Sequence, residues 1–370
     1  MIYLDYAADT PVSEAALSAF ITTARQYGAN PNSTHALGLA ARTRLTEATA
    51  GIARMLGAEP DEIVMTSGAT EANNLAIVGA ARAYQSRGRH LITTPMEHSS
   101  VTGPMMALKA DGFELDFVNT LPDGRVDLNH FKSLLRPDTI LTSVCAVDSE
   151  VGVIQPIEAV KAALTGYPNC RLHVDATQAV GKLPLALQGA DLVTLSPHKF
   201  YGLTGSGVLV VRGGMRLTPL WHGGDSLTPY RSGTPALALT VAAEAALSEA
   251  LSLLDERYKA VERLNQRLRD ALGSMNQVVL NSPPDASPFI LNISLIAVRA
   301  REVIARLSEV DICVSSKSAC CAPAAPSRPV MAMTGDRKRA LETVRVSLSH
   351  LTADNEIDQF LDAIASILCA

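Results

Sequence analysis

Short apolar runs alternate with longer stretches of helical periodicity from about residue 15 to residue 255. The runs are rich in β-branched residues and have the length of strands buried on both faces of a sheet. Ala-rich segments with helical spacing, such as Glu71–Tyr84 and Ile157–Leu164, lie between them. This alternation predicts an α/β fold around a mostly parallel sheet. The predicted strands are Glu62–Thr66, His90–Thr94, Glu114–Val118, Ile140–Val147, Arg171–Asp175, Leu192–Leu195 and Gly207–Val211.

The pattern changes after about residue 255. Apolar residues at helical spacing from Tyr258 to Leu272 predict one amphipathic helix, and those from Ile357 to Leu368 predict another. A strand is expected around Phe289–Ser294, after a turn-rich segment. We therefore expect a large domain over residues 15–255 and a small α+β domain built from residues 1–14 and 256–370.

Composition agrees with this organisation. At about 100–200 residues per domain, 370 residues predict two domains, and a hydrophobic content of 47% excludes general disorder. The net charge of −5, without a stretch dense in Lys and Arg, argues against direct nucleic-acid binding. The most apolar long stretch, residues 235–254, contains Glu244 and Glu249, which argues against a membrane span.

The cysteines and the N-terminus indicate a cytoplasmic location. Six cysteines occur without CxxC spacing, and Met1–Tyr6 has the pattern of a short strand instead of a signal peptide. Reduced thiols are expected in such a chain. No group of His, Cys and Asp has metal-ligand spacing, so no metal site is expected.

Two polar motifs directly follow predicted buried strands, where ligands of α/β sheets bind. Asp175 ends the strand Arg171–Asp175, and Lys199 follows Leu192–Leu195. Alone, the carboxylate is also compatible with a Mg²⁺ ligand or a helix N-cap, and a lysine in this position is more often a solvated surface residue. The nucleotide interpretation needs a GxxxxGK[ST] loop, which the chain lacks. Together, a Schiff-base lysine and a carboxylate for a pyridine nitrogen are what pyridoxal phosphate (PLP) requires.

A phosphate site is predicted at Thr66–Glu71, where a strand, a turn with Gly68 and a helix start follow one another. Backbone N–H groups at such a helix start, with the Thr70 hydroxyl, suit a phosphate. An ordinary Ser/Thr N-cap has the same pattern, so this motif does not decide the matter alone.

The motifs as a set resemble those of the cysteine desulfurases in the class V aminotransferase family, over nearly the whole chain. This resemblance implies a PLP-dependent transferase of fold type I, with a mostly parallel seven-stranded sheet in the large domain. It also implies a homodimer that converts L-cysteine to L-alanine and passes an enzyme-bound persulfide to a sulfur-acceptor protein. The segments that carry the resemblance are Thr66–Glu71, Met96–His98, His173–Gln178, Ser196–Gly202 and Arg231–Thr234.

The resemblance also implies roles for single residues around the cofactor. Lys199 would bind the PLP aldehyde, and Asp175 would pair with the pyridine nitrogen. Gln178 would contact the ring hydroxyl, and His98 would stack on the ring and relay protons. The implied phosphate ligands are Ala69, Thr70, Ser196 and His198, with Thr234 from the other subunit.

On the substrate side, the resemblance implies that Arg345 binds the substrate carboxylate, as a guanidinium group does well. Asn30 lies in the segment that lines the substrate side in the family. Ser149 stands where the family usually has an asparagine that helps to hold the cofactor oxygen. Because serine is shorter and lacks the amide donor, altered affinity or a slower reaction is expected.

The nucleophile implied by the resemblance is Cys320, at the end of the segment Val314–Cys320. A neighbouring cysteine, Cys321, is unusual for the family. Residues 322–329 contain three prolines, which predicts an exposed or mobile loop suited to carrying a thiol. Lys317 would favour the thiolate electrostatically.

Three alternatives stay open at this point. A selenocysteine lyase and another class V aminotransferase share these motifs, and a weakly active sulfur-trafficking scaffold is compatible with Ser149. The acceptor is also open, since iron–sulfur cluster assembly, tRNA thiolation and DNA sulfur modification all use such sulfur.

Overall fold

The computed structural model describes residues 1–184, 187–224, 226–317 and 325–369. Its strands coincide closely with the apolar runs of the sequence. The strands are β1 (Ile2–Tyr3), β2 (Ile63–Thr66), β3 (His90–Thr93), β4 (Glu114–Phe117), β5 (Thr139–Cys145), β6 (Arg171–Asp175), β7 (Leu192–Leu195), β8 (Gly207–Val211), β9 (Val278–Leu280), β10 (Ile290–Leu295), β11 (Ile312–Cys313) and β12 (Thr343–Ser347).

The helices fill the segments between the strands. Several begin at a side chain that caps the first turn, such as Ser13, Asp127 and Asp336. The helices are α1 (Glu14–Gln26), α2 (Ala36–Met55), α3 (Ala69–Tyr84), α4 (Ser99–Ala110), α5 (Leu128–Leu134), α6 (Ile157–Ala163), α7 (Leu237–Ser252), α8 (Leu254–Gly273), α9 (Ala300–Glu309), α10 (Arg328–Thr334), α11 (Arg337–Leu341) and α12 (Asp354–Cys369).

A seven-stranded sheet forms the larger part of the molecule, with the strand order β2-β8-β7-β6-β5-β3-β4. Among the described strands of this sheet, β8 alone runs in the opposite direction to the other six. The predicted α/β class and the mostly parallel sheet are therefore confirmed. The predicted strand Ile140–Val147 differs at its end, because β5 ends at Cys145 and Val147 pairs with Ile154 instead.

Both faces of this sheet are covered by helices. Along β2, Ile63 packs into one buried apolar cluster with residues of α6 and α7, whereas Val64 packs into another with residues of α3 and α4. Alternating residues of one strand thus serve opposite layers, as expected of a three-layer α/β arrangement. Because they run in the same direction, the carboxyl ends of five strands meet at one edge of the sheet: β2, β3, β5, β6 and β7.

The remaining strands form two small sheets. β12, β10 and β9 make an antiparallel sheet, and β1 pairs in parallel with β11. These sheets share an apolar cluster with α8, α9 and α12, including Leu268, Val303 and Phe360. The predicted helices after residue 255 correspond to α8 and α12. The domain boundaries at residues 14 and 255 stay a prediction.

Among the described residues, no single helix has both the length and the apolar composition of a membrane span. Helices α7 and α8 meet that criterion only as a pair, bent by 65°.

Candidate active site

A cavity of about 410 Å³ lies at the carboxyl ends of the parallel strands, between the large sheet and β12. Its position follows from the topology, because the loops that leave these ends meet at one edge. Asn30 and Thr234 are exposed and do not line it, and Cys320 lies outside the described residues. The predicted site residues that line it are Ala69, Thr70, His98, Ser149, Asp175, Gln178, Ser196, His198, Lys199 and Arg345.

Lys199 lies in a short 3₁₀ turn, Pro197–Lys199, directly after β7. Its Nζ donates hydrogen bonds to the carbonyl oxygens of Ala7, at 2.9 Å, and Ala8. Two residues later, Tyr201 has a φ of 69°, which is unusual for a residue with a side chain. The Tyr201 backbone N–H donates to Thr10 Oγ1 at 2.8 Å, and its hydroxyl contacts Ser349 Oγ. These contacts hold the turn that presents Lys199 to the cavity.

Asp175, the last residue of β6, is a buried carboxylate at the cavity wall. The backbone N–H of Thr177 donates to its Oδ1 at 3.0 Å, and Asn73 Nδ2 donates to its Oδ2 at 2.8 Å. Asn73 also donates to Ser100 Oγ. Asn73 is a site residue that the motifs did not predict. The available signal is a fully buried amide inside an otherwise Ala-rich helix, where asparagine is unfavourable.

An anion site lies where α3 begins. The N-cap residue is Gly68, which has no side chain to accept from the first N–H groups of the helix. The Ser67 backbone N–H donates to the Glu71 carboxylate, at 2.6 Å, and is therefore not available to a ligand. Ala69 and Thr70 line the cavity at this helix start, where the first N–H groups and the positive end of the helix dipole suit an anion.

Ser196 and His198 complete this end of the cavity. Ser196 is buried and its hydroxyl donates to the Ser206 carbonyl, whereas His198 Nδ1 lies 3.0 Å from Asp9 Oδ1. Burial and the charge of Lys199 lower the pKa of His198. We therefore expect the ring to be neutral at pH 7, a hydrogen-bonding group and not a cation.

His98 is the N-cap of α4 and lines the opposite wall. Its Nδ1 accepts from the backbone N–H of Ser100, at 3.1 Å. A backbone N–H only donates, so the neutral ring carries its proton on Nε2. Burial lowers the pKa of His98, which favours this neutral form.

Arg345 reaches the cavity from the middle of β12 and is 1% exposed. Its Nη1 donates to the Ser149 carbonyl at 2.8 Å, and its Nη2 donates to Asp5 Oδ1 at 2.7 Å. Its Nε has no partner among the described atoms. The other oxygen of Asp5 accepts from Ser315 Oγ at 2.9 Å. Asp5 is not predictable from the sequence as a site residue, because nothing in the N-terminal strand pattern places it beside a residue 340 positions away.

Gln178 follows Asp175 in the turn after β6. Its Nε2 donates to the Ala7 carbonyl at 2.9 Å, and its Oε1 accepts from Lys182 Nζ at 2.9 Å. Lys182 is buried, and burial together with the charges of Lys199 and Arg345 lowers its pKa to about 7. Lys182, like Asn73 and Asp5, has no predicted role from the sequence.

Two buried acids lie behind the cavity wall. Glu97 Oε1 accepts from the Cys145 backbone N–H and from Thr94 Oγ1, both at 2.8 Å. Burial raises the pKa of Glu97 to about 8. Burial and the nearby Glu150 charge raise the pKa of Asp148, the neighbour of Ser149, to about 7.

The residues present fit PLP. The uncapped start of α3 offers donors for a phosphate, and the buried Asp175 carboxylate suits a protonated ring nitrogen. Lys199 supplies the amine that an aldehyde needs. Arg345, whose Nε is unpartnered among the described atoms, offers a guanidinium group for a carboxylate.

Comparisons with known proteins agree with this geometry. Residues 2–360 match the family Aminotransferase class-V. Cysteine desulfurase IscS of Mannheimia succiniciproducens is 38% identical over 374 residues, which cover 99% of this chain and 92% of the relative. The solved structure of a NifS-like protein superposes with a TM-score of 0.93 at 34% identity, covering 100% of this chain and 99% of the other. SspA in complex with cysteine superposes with a TM-score of 0.83 at 30% identity, covering 95% and 100%. The chain belongs to the class V aminotransferase family, which uses PLP.

Proposed function

We propose that this chain is a PLP-dependent cysteine desulfurase, which removes sulfur from L-cysteine and releases L-alanine. The observation that carries the proposal is that Lys199, Asp175 and Arg345, from three separate parts of the chain, line one cavity. Full-length similarity to a named cysteine desulfurase supports the same reaction.

The residues around the cofactor position it and handle protons. PLP, when bound, supplies an electron sink for negative charge that develops at the substrate Cα. Lys199 Nζ would bind the aldehyde and would also be the base placed to take the proton from the substrate Cα. Asp175 holds a proton on the ring nitrogen. Because Asn73 and Thr177 already orient this carboxylate, little reorganisation is needed when the ring enters.

The substrate carboxylate binds to Arg345. Asp5 and the Ser149 carbonyl fix the guanidinium plane, so its remaining N–H groups are oriented before cysteine enters. Ser149 contributes its carbonyl to this contact, and the serine side chain supplies no amide donor at the cavity wall. His98, neutral with its proton on Nε2, serves as the proton relay.

Cys320 is the proposed sulfur acceptor on the enzyme, on the grounds of its sequence motif. Its thiolate attacks the sulfur of the bound cysteine. An S–S bond forms as the Cβ–S bond breaks, and the electron pair of the broken bond stays with the carbon, which is protonated to yield L-alanine. The persulfide then passes to a sulfur-acceptor protein.

Assembly and location complete the proposal. We propose a homodimer on the grounds of the resemblance to the class V aminotransferase family. A second cavity, of about 280 Å³, is lined by Gly233 and Pro235, on either side of Thr234, and shares Ser67, Gly205 and Ser206 with the first. In a dimer, Thr234 of one protomer would reach the phosphate end of its partner. We retain the domain boundaries (15–255, and 1–14 with 256–370) and the cytoplasmic location as predictions.

The test is to incubate the PLP-loaded protein with L-cysteine and a thiol reductant, and to measure sulfide and alanine. The Cys320→Ala variant should keep PLP absorbance and lose roughly 100-fold or more of sulfide formation. Cys369→Ala removes an exposed thiol elsewhere and is the control that should keep full activity.

Other outcomes distinguish the alternatives. Normal sulfide formation by Cys320→Ala would show that the nucleophile is wrongly assigned, and Cys321→Ala tests the neighbouring thiol. Amino transfer that depends on a keto acid would favour an aminotransferase. A rate with L-selenocysteine far above that with L-cysteine would favour a selenocysteine lyase. PLP binding without any turnover would favour the scaffold protein.

A further inference from the structure

Lys182 is a buried lysine without a carboxylate partner among the described residues. Its side chain is 5% exposed, and its Nζ lies 5.9 Å from the centre of the Phe289 ring. The charged groups that act on it, Lys199 and Arg345, are both cations. A buried cation without an opposite charge is destabilising, so a structural role alone does not explain its presence.

The one hydrogen bond that Lys182 makes within the described part of the chain goes to Gln178. Lys182 Nζ donates to Gln178 Oε1 at 2.9 Å, so the amide oxygen of Gln178 is turned toward Lys182. The amide nitrogen consequently points the other way, where Nε2 donates to the Ala7 carbonyl. The same carbonyl accepts from Lys199 Nζ. Lys182, Gln178, Ala7 and Lys199 thus form a continuous chain of hydrogen bonds.

Gln178 lines the cavity, whereas Lys182 does not. An amide nitrogen carries two hydrogens, and Ala7 accepts one of them, which leaves one for a group in the cavity. If the amide were reversed, its oxygen would face the cavity, and the ammonium of Lys182 would face an NH₂ group that cannot accept.

We propose that Lys182 is a positioning residue for the cofactor: its amine holds the Gln178 amide with its nitrogen toward the PLP ring oxygen. The inference rests on the proposed function, in which Gln178 contacts the ring hydroxyl. Lys182 acts through Gln178 and touches neither cofactor nor substrate.

The experiment compares wild type with Lys182→Met, Gln178→Met and the double variant. Two quantities are measured: the PLP dissociation constant, by titrating the apoprotein, and the pH midpoint of the visible absorbance of the loaded protein. Lys182→Met should weaken PLP binding roughly tenfold and shift the midpoint by about one pH unit, as expected for loss of a charged hydrogen bond. Lys182→Gln, which retains a neutral donor, should recover part of both.

The double variant decides how Lys182 acts. If it works through Gln178, the double variant binds PLP no more weakly than Gln178→Met alone, because nothing is left to position. Losses that simply add would overturn the inference. The melting temperature of the Lys182→Met apoprotein should be unchanged or higher, since an unpaired buried charge has been removed.

A structural role gives a different result. Lys182→Met would then lower the melting temperature and leave the PLP dissociation constant and the absorbance midpoint unchanged, which would overturn the inference while the proposed function stands. Failure of the wild-type protein to bind PLP would overturn both, so the two failures are distinguishable.

Discussion

At the scale of single residues, the candidate site depends on polar groups whose charge is set by burial. Glu97 is the clearest case: it is 2% exposed, and its Oε2 has no partner among the described atoms. Burial raises its pKa from 4.5 to about 8, so the folded protein keeps the Glu97 proton at neutral pH. The neighbouring His98 is neutral as well, so neither residue adds a charge to this side of the cavity.

The raised pKa of Glu97 predicts how stability depends on pH. Between pH 4.5 and about 8 the folded chain holds this proton and the unfolded chain releases it, so the free energy of unfolding falls as the pH rises through this window. Glu97→Gln is uncharged throughout and should reduce that fall. Asp148, with a raised pKa of about 7, contributes in the same direction and will remain in the variant.

The measurement is the melting temperature at pH 5.5 and pH 8.5. The decrease between the two values should be smaller in Glu97→Gln than in wild type by about 2 °C or more. Glu309→Gln alters an exposed carboxylate on α9 and should leave the decrease unchanged. An equal decrease in wild type and Glu97→Gln would contradict a protonated Glu97.

At the scale of elements, the predicted phosphate site depends on close contact between β8 and the turn before α3. A Cβ atom added at Gly207 would lie 2.4 Å from the Gly68 carbonyl carbon and 2.6 Å from Thr66 Oγ1. The first of these is backbone, which cannot rotate away. Gly207→Ala must therefore displace the Gly68–Ala69 turn from its position at the cavity.

We expect Gly207→Ala to weaken PLP binding roughly tenfold or more and to destabilise the protein by about 1–3 kcal/mol, which is typical of overpacking. The measurements are the PLP dissociation constant and the melting temperature. Gly103→Ala, on α4, has no atom within 4 Å of the added methyl group and should preserve both. Unchanged PLP binding in Gly207→Ala would argue against a phosphate at the start of α3.

Much of the fold was predictable because buried strands leave a local pattern. The predicted ranges Arg171–Asp175, Leu192–Leu195 and Gly207–Val211 agree with β6, β7 and β8 at both ends. Residues just after such strands, including Lys199, were predictable for the same reason, since strand ends at one edge of a parallel sheet meet in space. The antiparallel direction of β8 depends on its pairing and leaves no comparable pattern.

The residues that were missed are those brought to the site by tertiary packing. Asn73 approaches Asp175 from inside a helix, and Asp5 approaches Arg345 from the opposite end of the chain. Lys182 is a further example, because a lysine near a glycine and a proline predicts an exposed turn, not a buried ammonium group. Their hydrogen-bond partners, and not their sequence neighbours, define their roles.

At the scale of the whole molecule, the cavity combines residues from both ends of the chain. Arg345 lies in β12 and Asp5 just after β1, whereas Asp175 ends β6 and Lys199 follows β7 in the large sheet. A displacement of the small sheets relative to the large one would therefore move the carboxylate-binding group away from the amine. Thr234, exposed in the single protomer, is the predicted residue that would make the site depend on a partner as well.

Mixed dimers test whether Thr234 acts across a subunit interface. One subunit carries Lys199→Ala, which cannot bind the PLP aldehyde, and the other carries Thr234→Val; two different affinity tags isolate the mixed dimer. The subunit with the intact Lys199 is thus paired with a partner whose Thr234 is intact.

If Thr234 acts on the partner, PLP affinity at the site with the intact Lys199 should equal the wild-type value. The Thr234→Val homodimer should bind PLP roughly five- to tenfold more weakly, because one hydrogen bond to phosphate is lost. If Thr234 acts within its own protomer, the mixed dimer will bind as weakly as the Thr234→Val homodimer. Thr43→Val removes an exposed hydroxyl that donates to the Leu39 carbonyl of its own helix, and it controls for the substitution itself.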